Sequence, residues 1–295
     1  MILVTGGTGL TGQFVVEELL RRGQAVRVLA RAQSLASVQD GRVEPAPGDL
    51  ADLPSLRRAM TGVSGVVHAA CTFTDSAVDI AAMQTLLAEW RTGPFVFISS
   101  LDVYGWAQAT PIDEEHPLSE TYSDYGRGKV VCERLLDEAA ARVGRADFAM
   151  LRAPYIWGPH PKARERLVNQ RLATGQPIIL PGATPAEWAE YQDVWIDVRD
   201  LAWIVAEVLE NPPGGPLNVL SGHFIWHDLY AELIRLTGSS SSLVHKPLAE
   251  IGDDELPRKQ IYAQRWHFSA ERLQEQAPFT PRYTLAETLA ATAGQ

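Results

Sequence analysis

The chain has 295 residues, 46% of them hydrophobic, and a formal net charge of −10. That length suits one large α/β unit or two joined domains with a sizeable core, and the acidic balance argues against nucleic acid or an anionic membrane surface as partner, since both reward a basic face. Two cysteines, Cys71 and Cys132, are too few for a disulfide framework, no apolar run approaches the roughly 20 residues that span a bilayer, and the opening MILVTGG lacks the basic region of a signal peptide; a soluble, cytoplasmic protein is expected.

In chain order, β-rich runs alternate with helical stretches: ILVT then FVVEELLRRG, AVRVLA then a polar loop, SGVVHAA then VDIAAMQTLLAEW, PFVFISS then a helix opening near YSDYGRGK, and DFAMLRA last. This order predicts an α/β fold, a Rossmann-type doubly wound parallel sheet with helices on both faces. The first strand feeds TGGTGLTG, with Gly6, Gly9 and Gly12 at intervals of three, and then a helix. Such a turn lets the backbone approach a pyrophosphate while the helix N-terminus faces it, so Gly6, Thr8, Gly9, Leu10, Thr11 and Gly12 are candidates to bind a dinucleotide. A tight glycine turn serving packing alone is the other reading.

The second strand ends at Ala30 and Arg31 with no acidic residue, where an arginine suits a ribose 2′-phosphate and a carboxylate would suit the hydroxyl. NADP is therefore expected, with NAD as the other option and a merely solvated Arg31 the bland account. Asp49 and Leu50 in PGDL, and His68, Ala69 and Ala70 in VVHAA, should face the carboxyl edge of the sheet, where cofactors bind. The fifth run ends in Ser99 and Ser100, near the start of the helix that carries Tyr125 and Lys129. Four residues is about one turn, so these two share a helix face, and an ammonium beside a phenol favours the phenolate. A serine hydroxyl could hold a carbonyl oxygen while the tyrosine exchanges the proton.

From about residue 159 prolines cluster in GPHP, LPGATP and NPPGGP, which marks a smaller, mixed region. We expect a dinucleotide-binding domain over 1–158, to which 194–211 returns, and a mainly substrate-binding region over 159–295.

TGGTGLTG, PGDL, VVHAA, FISSLDVYG, YGRGK, LRAPYIWGP and WIDVRDLA occur in this order between residues 3 and about 203. The set resembles the extended short-chain dehydrogenase/reductases of the NAD(P)-dependent epimerase/dehydratase family. The resemblance implies Tyr125 as general acid/base, Lys129 as the group that binds the nicotinamide ribose and holds down the tyrosine pKa, and Ser100 as anchor of the reacting oxygen. Ser100 is favoured because it lies four residues before Tyr104 of the VYG triplet. Ser99 reads as a buried strand-end hydroxyl beside the cofactor, and Pro154 as a wall of the nicotinamide pocket. Gly126 and Gly128 are inferred to leave room for the cofactor to pass the backbone. The family often dimerises through the tyrosine helix and its neighbour, so a homodimer is an option.

Other signals carry less. His223 and His227 have metal-ligand spacing but fall on a strand end and the next helix, so no metal site is expected. Trp106, Trp157, Trp188 and Trp195 suit a substrate cleft or core packing equally, and Cys71 reads as a small buried hydrophobe. The leading expectation is an NAD(P)-dependent oxidoreductase acting on a small carbonyl or secondary alcohol. A nucleotide-sugar epimerase or dehydratase is the alternative, and a non-catalytic NADP-sensing regulator the third. Against a diphosphate-bearing substrate, Tyr155 and Asp193 stand where nucleotide-sugar members tend to place asparagine and arginine, although Arg164, Arg166 or Arg171 could serve after a shift. Leu101 and Asp102 replace the Asp-Glu pair of the dehydratases.

Overall fold

The structure, a computed structural model, describes residues 1–37, 41–107 and 111–294. Its first half runs β1 (Ile2–Thr5), α1 (Leu10–Arg21), β2 (Val26–Ala30), β3 (Val43–Pro47), α2 (Leu53–Ala59), β4 (Gly65–His68), α3 (Ser76–Glu89), β5 (Phe95–Ser100), α4 (Asp124–Val143) and β6 (Phe148–Ala153). Then follow β7 (Tyr155–Trp157), α5 (Pro161–Leu167), α6 (Gln170–Thr174), β8 (Ile178–Pro181), α7 (Pro185–Trp188), β9 (Gln192–Asp197), α8 (Val198–Glu210), β10 (Gly215–Asn218) and β11 (Gly222–Ile225). The chain closes with α9 (Trp226–Thr237), β12 (Leu243–Lys246), α10 (Glu271–Gln276) and α11 (Leu285–Ala293).

Seven strands form one parallel sheet in the order β10-β6-β5-β4-β1-β2-β3. β1, β4 and β5 are buried along their whole length, as expected of strands covered on both faces. The connections leave β1 and β4 in opposite directions, and their ends meet at the Thr5–His68 pair. A crevice at such a reversal is where doubly wound sheets bind ligands. Helices α1 and α8 cover one face and α2, α3 and α4 the other.

The polar loop expected between the second strand and SGVVHAA instead contains β3 and α2. Two prolines in VEPAP hid the strand; they are tolerated because β3 is the sheet edge, where a missing N–H costs no ladder bond. The boundary at 158 also understates how often the chain returns. Helix α8 packs on the main sheet, yet β9 before it belongs to a separate three-stranded sheet with β7 and β11. β10 supplies the seventh main strand, and Leu273, Ala277 and Phe279 join the same core. The rest builds an aromatic core around Trp157, Trp195, Phe224, Trp226, Trp266 and Phe268. Among the described residues, no helix is long and apolar enough to cross a membrane.

Candidate active site

A cleft of about 1130 Å³ opens along the carboxyl ends of β1, β2, β4 and β5 and continues into the aromatic half of the molecule. Gly6, Thr8, Gly9, Leu10, Thr11 and Gly12 line its first part. Gly6 takes φ +72°, and a Cβ there would stand 2.8 Å from the Ala70 amide nitrogen; one on Gly12 would collide with the Gly6 carbonyl. The glycines thus bring the two strand ends and the first turn of α1 together. Among the described residues no side chain caps α1, and its first-turn residues Leu10, Thr11 and Gly12 line the cleft, an arrangement that suits an anionic group.

Arg31, Asp49, Leu50, Ala69, Ala70, Ser99 and Pro154 also line the cleft. Arg31 is exposed beside Ser34, whose amide donates to its carbonyl at 2.8 Å. His68 does not belong with them. It is fully buried behind the strand ends, its Nδ1 lies 2.7 Å from Thr5 Oγ1, and its ring stacks on Phe97 at 5.5 Å. Burial, with the Lys129 charge acting in the same direction, lowers its pKa to about 3, so it is a neutral core residue. Ser99 meets the cleft but donates its hydroxyl to Glu133 Oε1 at 2.6 Å. Ser100 is the serine free to face the opening, its Oγ accepting the Asp102 amide at 3.2 Å where β5 turns over.

Ser123 caps α4 by accepting the Gly126 amide at 2.9 Å, which sets Tyr125 in the first turn and Lys129 one turn deeper. Lys129 is 6% exposed and donates to the Ile98 carbonyl at 2.8 Å; its Nζ lies 5.5 Å from the Tyr125 ring centre. Both residues line the cleft with Ser100. The expected drop in the tyrosine pKa is not what the surroundings produce. Burial raises it above the ordinary value, opposed by the Lys129 ammonium and by the Ser100 hydroxyl. The inference about the glycines is also overturned. A Cβ on Gly126 would meet the Asp102 carbonyl oxygen at 2.9 Å, and one on Gly128 the Ser76 Cβ at 2.8 Å. They admit neighbouring protein elements, not a ligand.

Phe73 covers this corner and carries no sequence signal for doing so. Its ring stacks on Tyr125 at 5.4 Å, the Arg166 guanidinium lies 4.8 Å above it, and its backbone holds φ +63°, costly for a bulky residue. Thr72 and Asp75 on either side fix the loop: Thr72 donates to Asp79, and Asp75 caps α3.

The far half of the cleft is lined by Tyr122, Tyr155, Trp226, Arg258, Tyr262 and Trp266. Of the four tryptophans singled out in the sequence, Trp157 also lines it, while Trp195 is core. His223 stacks on His267 and His227 lies 2.9 Å from His245, so the two do not converge; among the described residues no cluster able to hold a metal ion occurs. Cys71 borders the cleft with its thiol pKa pushed up by burial, which fits an unreactive side chain. Of Arg164, Arg166 and Arg171, Arg166 is the one that lines the cleft.

The family model for the NAD dependent epimerase/dehydratase family matches residues 2–219. A UDP-glucose 4-epimerase of Arabidopsis thaliana is 28% identical over 54% of this chain and 53% of its own. A 3 beta-hydroxysteroid dehydrogenase/Delta 5→4-isomerase of Mycobacterium tuberculosis is 30% identical over 63% of this chain and 55% of its own. The match thus spans about half the length of these curated relatives. Among solved structures, the Thermotoga maritima UDP-glucose 4-epimerase with UDP-glucose superimposes with a TM-score of 0.80 at 21% identity, covering 99% of this chain and 97% of that one. A Bacillus anthracis dTDP-glucose 4,6-dehydratase in complex with NAD gives 0.78 at 19% identity, covering 99% and 95%. The glycine loop, the parallel sheet and this match together place the chain in the NAD dependent epimerase/dehydratase family, whose members are enzymes of the extended short-chain dehydrogenase/reductase type.

Proposed function

We propose that the protein catalyses NAD(P)-linked hydride transfer at a secondary alcohol or carbonyl carbon of a small molecule. The observation that carries this reading is the convergence of Ser100, Tyr125 and Lys129 on one cleft that runs without a break into the glycine loop. When bound, a nicotinamide dinucleotide supplies or accepts the hydride. The glycine loop and the α1 N-terminus would hold its pyrophosphate, and Arg31 would pair with a 2′-phosphate, which favours NADP.

The rest of the chemistry belongs to the chain. Ser100 donates a hydrogen bond to the reacting oxygen and fixes its position. Tyr125 gives the proton in reduction and takes it in oxidation. Lys129, tied to Ile98, keeps a positive charge beside the phenol and so limits the rise that burial causes. Phe73 covers one face of the Tyr125 ring by stacking on it at 5.4 Å.

Nucleotide-sugar epimerisation is the second reading, supported by the relatives' names and by Arg166, Lys162 and Arg258 in the cleft. Both readings use the same proton and hydride steps. A homodimer through α3 and α4, which pack side by side, remains part of the proposal. The deciding experiment is incubation with NADPH deuterated at the transferable position and a panel of ketones and nucleotide sugars. Deuterium in a product alcohol, lost in Tyr125→Phe, supports the oxidoreductase. Inversion of a nucleotide sugar with no net redox change replaces it by the second reading.

A further inference from the structure

Asp193 on β9 is 4% exposed, and although its Oδ1 accepts the Val194 amide at 2.8 Å, its Oδ2 has no hydrogen-bond partner among the described residues. The indole Nε1 of Trp226, on a residue 5% exposed, is likewise unpaired. Both residues line the far half of the cleft. A buried polar group left unpaired destabilises a fold, so two in one wall call for a partner that arrives from outside.

We propose that Asp193 and Trp226 anchor an uncharged, hydroxyl-bearing ring of the substrate and turn away a phosphate or carboxylate at the same place. This rests on the hydride-transfer reading of Tyr125. The groups facing Asp193 are Asp102 after β5, Tyr122 before α4, Tyr155 on β7 and Tyr262 in the 259–263 turn; Arg258 nearby lies over the Tyr122 ring at 5.1 Å and acts on Asp102. Burial pushes the Asp193 carboxyl up to about 8, opposed by the Val194 N–H and reinforced by Asp102. Near pH 7 it is therefore mainly a neutral acid. An anion is turned away by burial rather than by any charge on Asp193: it would sit desolvated near Asp102, while the nearby cation, Arg258, already lies over Tyr122 and acts on Asp102.

A carboxylic acid both donates and accepts, an indole N–H only donates, and a hydroxyl matches both. The faces of Tyr155, Trp226 and Tyr262 suit the C–H surface of a ring. Oδ2 is closed off from solvent, so the hydroxyl reaches it through a side-chain rotation at Asp193 or its aromatic neighbours.

The test compares 4-hydroxycyclohexanone, cyclohexanone and 4-oxocyclohexanecarboxylate as NADPH-dependent substrates of the wild type, Asp193→Asn, Asp193→Leu and Trp226→Phe. We expect kcat/KM to fall about tenfold or more from hydroxyl to hydrogen and again to carboxylate. Asp193→Leu and Trp226→Phe should erode the hydroxyl preference. Asp193→Asn should keep it while abolishing the rise in KM expected of the wild type above about pH 8. Stability gives a readout independent of activity. A carboxyl raised above its unfolded value stabilises fully below about pH 4, and the gain is lost as pH rises towards 8. The Tm difference between wild type and Asp193→Asn should decline across that window. No hydroxyl preference in the wild type, an unchanged preference in Asp193→Leu, or a flat Tm difference overturns the proposal. A titrating Asp193 without the preference means it holds a water, and also overturns it. Turnover of other carbonyl compounds but none of these three refutes the ring class and leaves the Tyr125 reading standing. If no carbonyl compound reacts, that reading fails, and saturation-transfer NMR of the three ketones on the NADP-loaded protein decides the anchor by binding alone.

Discussion

Gly126 and the Asp102 carbonyl are in direct apposition: a Cβ on the helix residue would lie 2.9 Å from that oxygen. Asp102 cannot yield freely, because its carbonyl already accepts the Gly105 amide at 3.1 Å. The contact sets how closely the tyrosine helix approaches the turn after Ser100. Gly126→Ala should gain about 1 kcal/mol of helix propensity and lose more to overpacking, about 1–3 kcal/mol. We expect a net loss near 1 kcal/mol by urea unfolding, and a fall in kcat larger than that loss implies, since Ser100 and Tyr125 move apart. An alanine variant as stable and as active as the wild type would contradict this account.

Tyr125→Phe removes the oxygen proposed to transfer the proton and leaves the ring stacked on Phe73. Turnover should fall roughly 10² to 10⁴-fold with cofactor affinity nearly unchanged. Because burial raises the tyrosine pKa above its ordinary value of 10.0, alcohol oxidation, which needs the phenolate, should keep climbing through the alkaline range, whereas carbonyl reduction should not. Lys129→Met should shift the oxidation limb further up. Steady-state pH profiles in both directions check the sign.

Arg31→Ala tests the choice of cofactor. Loss of a charge-assisted pair with a 2′-phosphate should weaken NADP by about 1.5–3 kcal/mol and spare NAD. Calorimetric titration of both dinucleotides into wild type and variant decides it. Equal losses, or none for NADP, remove Arg31 from the site.

The parts legible in the sequence are those where local chemistry and position coincide. The glycine loop announces itself because only glycine survives at Gly6 and Gly12, and the Tyr125–Lys129 spacing is a property of one helix. What stayed hidden depends on partners distant in sequence. Gly126 faces Asp102 and Gly128 faces Ser76, contacts no local pattern encodes. His68 sits in an informative motif, yet its neighbours Thr5 and Phe97 turn it into core. Trp226, Arg258 and Tyr262 come from a stretch without a recurring motif, and only the fold carries them to the cleft.

His68 predicts an acid sensitivity. Its folded pKa, about 3, lies below the ordinary 6.5, so the folded state resists a proton that the unfolded chain accepts. Stability should be complete above pH 6.5 and fall by about 1.4 kcal/mol per unit as pH drops below it, until the folded value is reached. His68→Gln should be less stable at pH 7 and show a shallower loss between pH 6.5 and 4.5. Urea unfolding at matched ionic strength measures both slopes, and parallel slopes would clear His68 of the effect.

Glu133 lies one turn beyond Lys129 and ties the tyrosine helix to the sheet. Its carboxylate, 2% exposed, accepts Ser99 Oγ at 2.6 Å and Arg152 Nη2 at 2.8 Å, and Arg152 in turn donates to Tyr104 Oη at 2.8 Å. Tyr104 donates to Asn218 on β10 at 2.6 Å, so one buried network joins α4, β5, β6 and the last strand of the sheet. Removing one partner of a buried ion pair strands the other charge, which costs about 3–5 kcal/mol, whereas replacing both by apolar groups of similar volume is often neutral. We therefore expect Glu133→Leu to lose about that much stability and Glu133→Leu/Arg152→Met to recover most of it. Double-mutant unfolding gives the stability, and kcat of the double variant gives the function. With the charge balanced but the hydrogen bonds to Ser99 and Tyr104 gone, α4 loses its fixed register against β5, so kcat should stay depressed after stability returns. Full recovery of turnover in the double variant would show that the network holds the fold without positioning Tyr125.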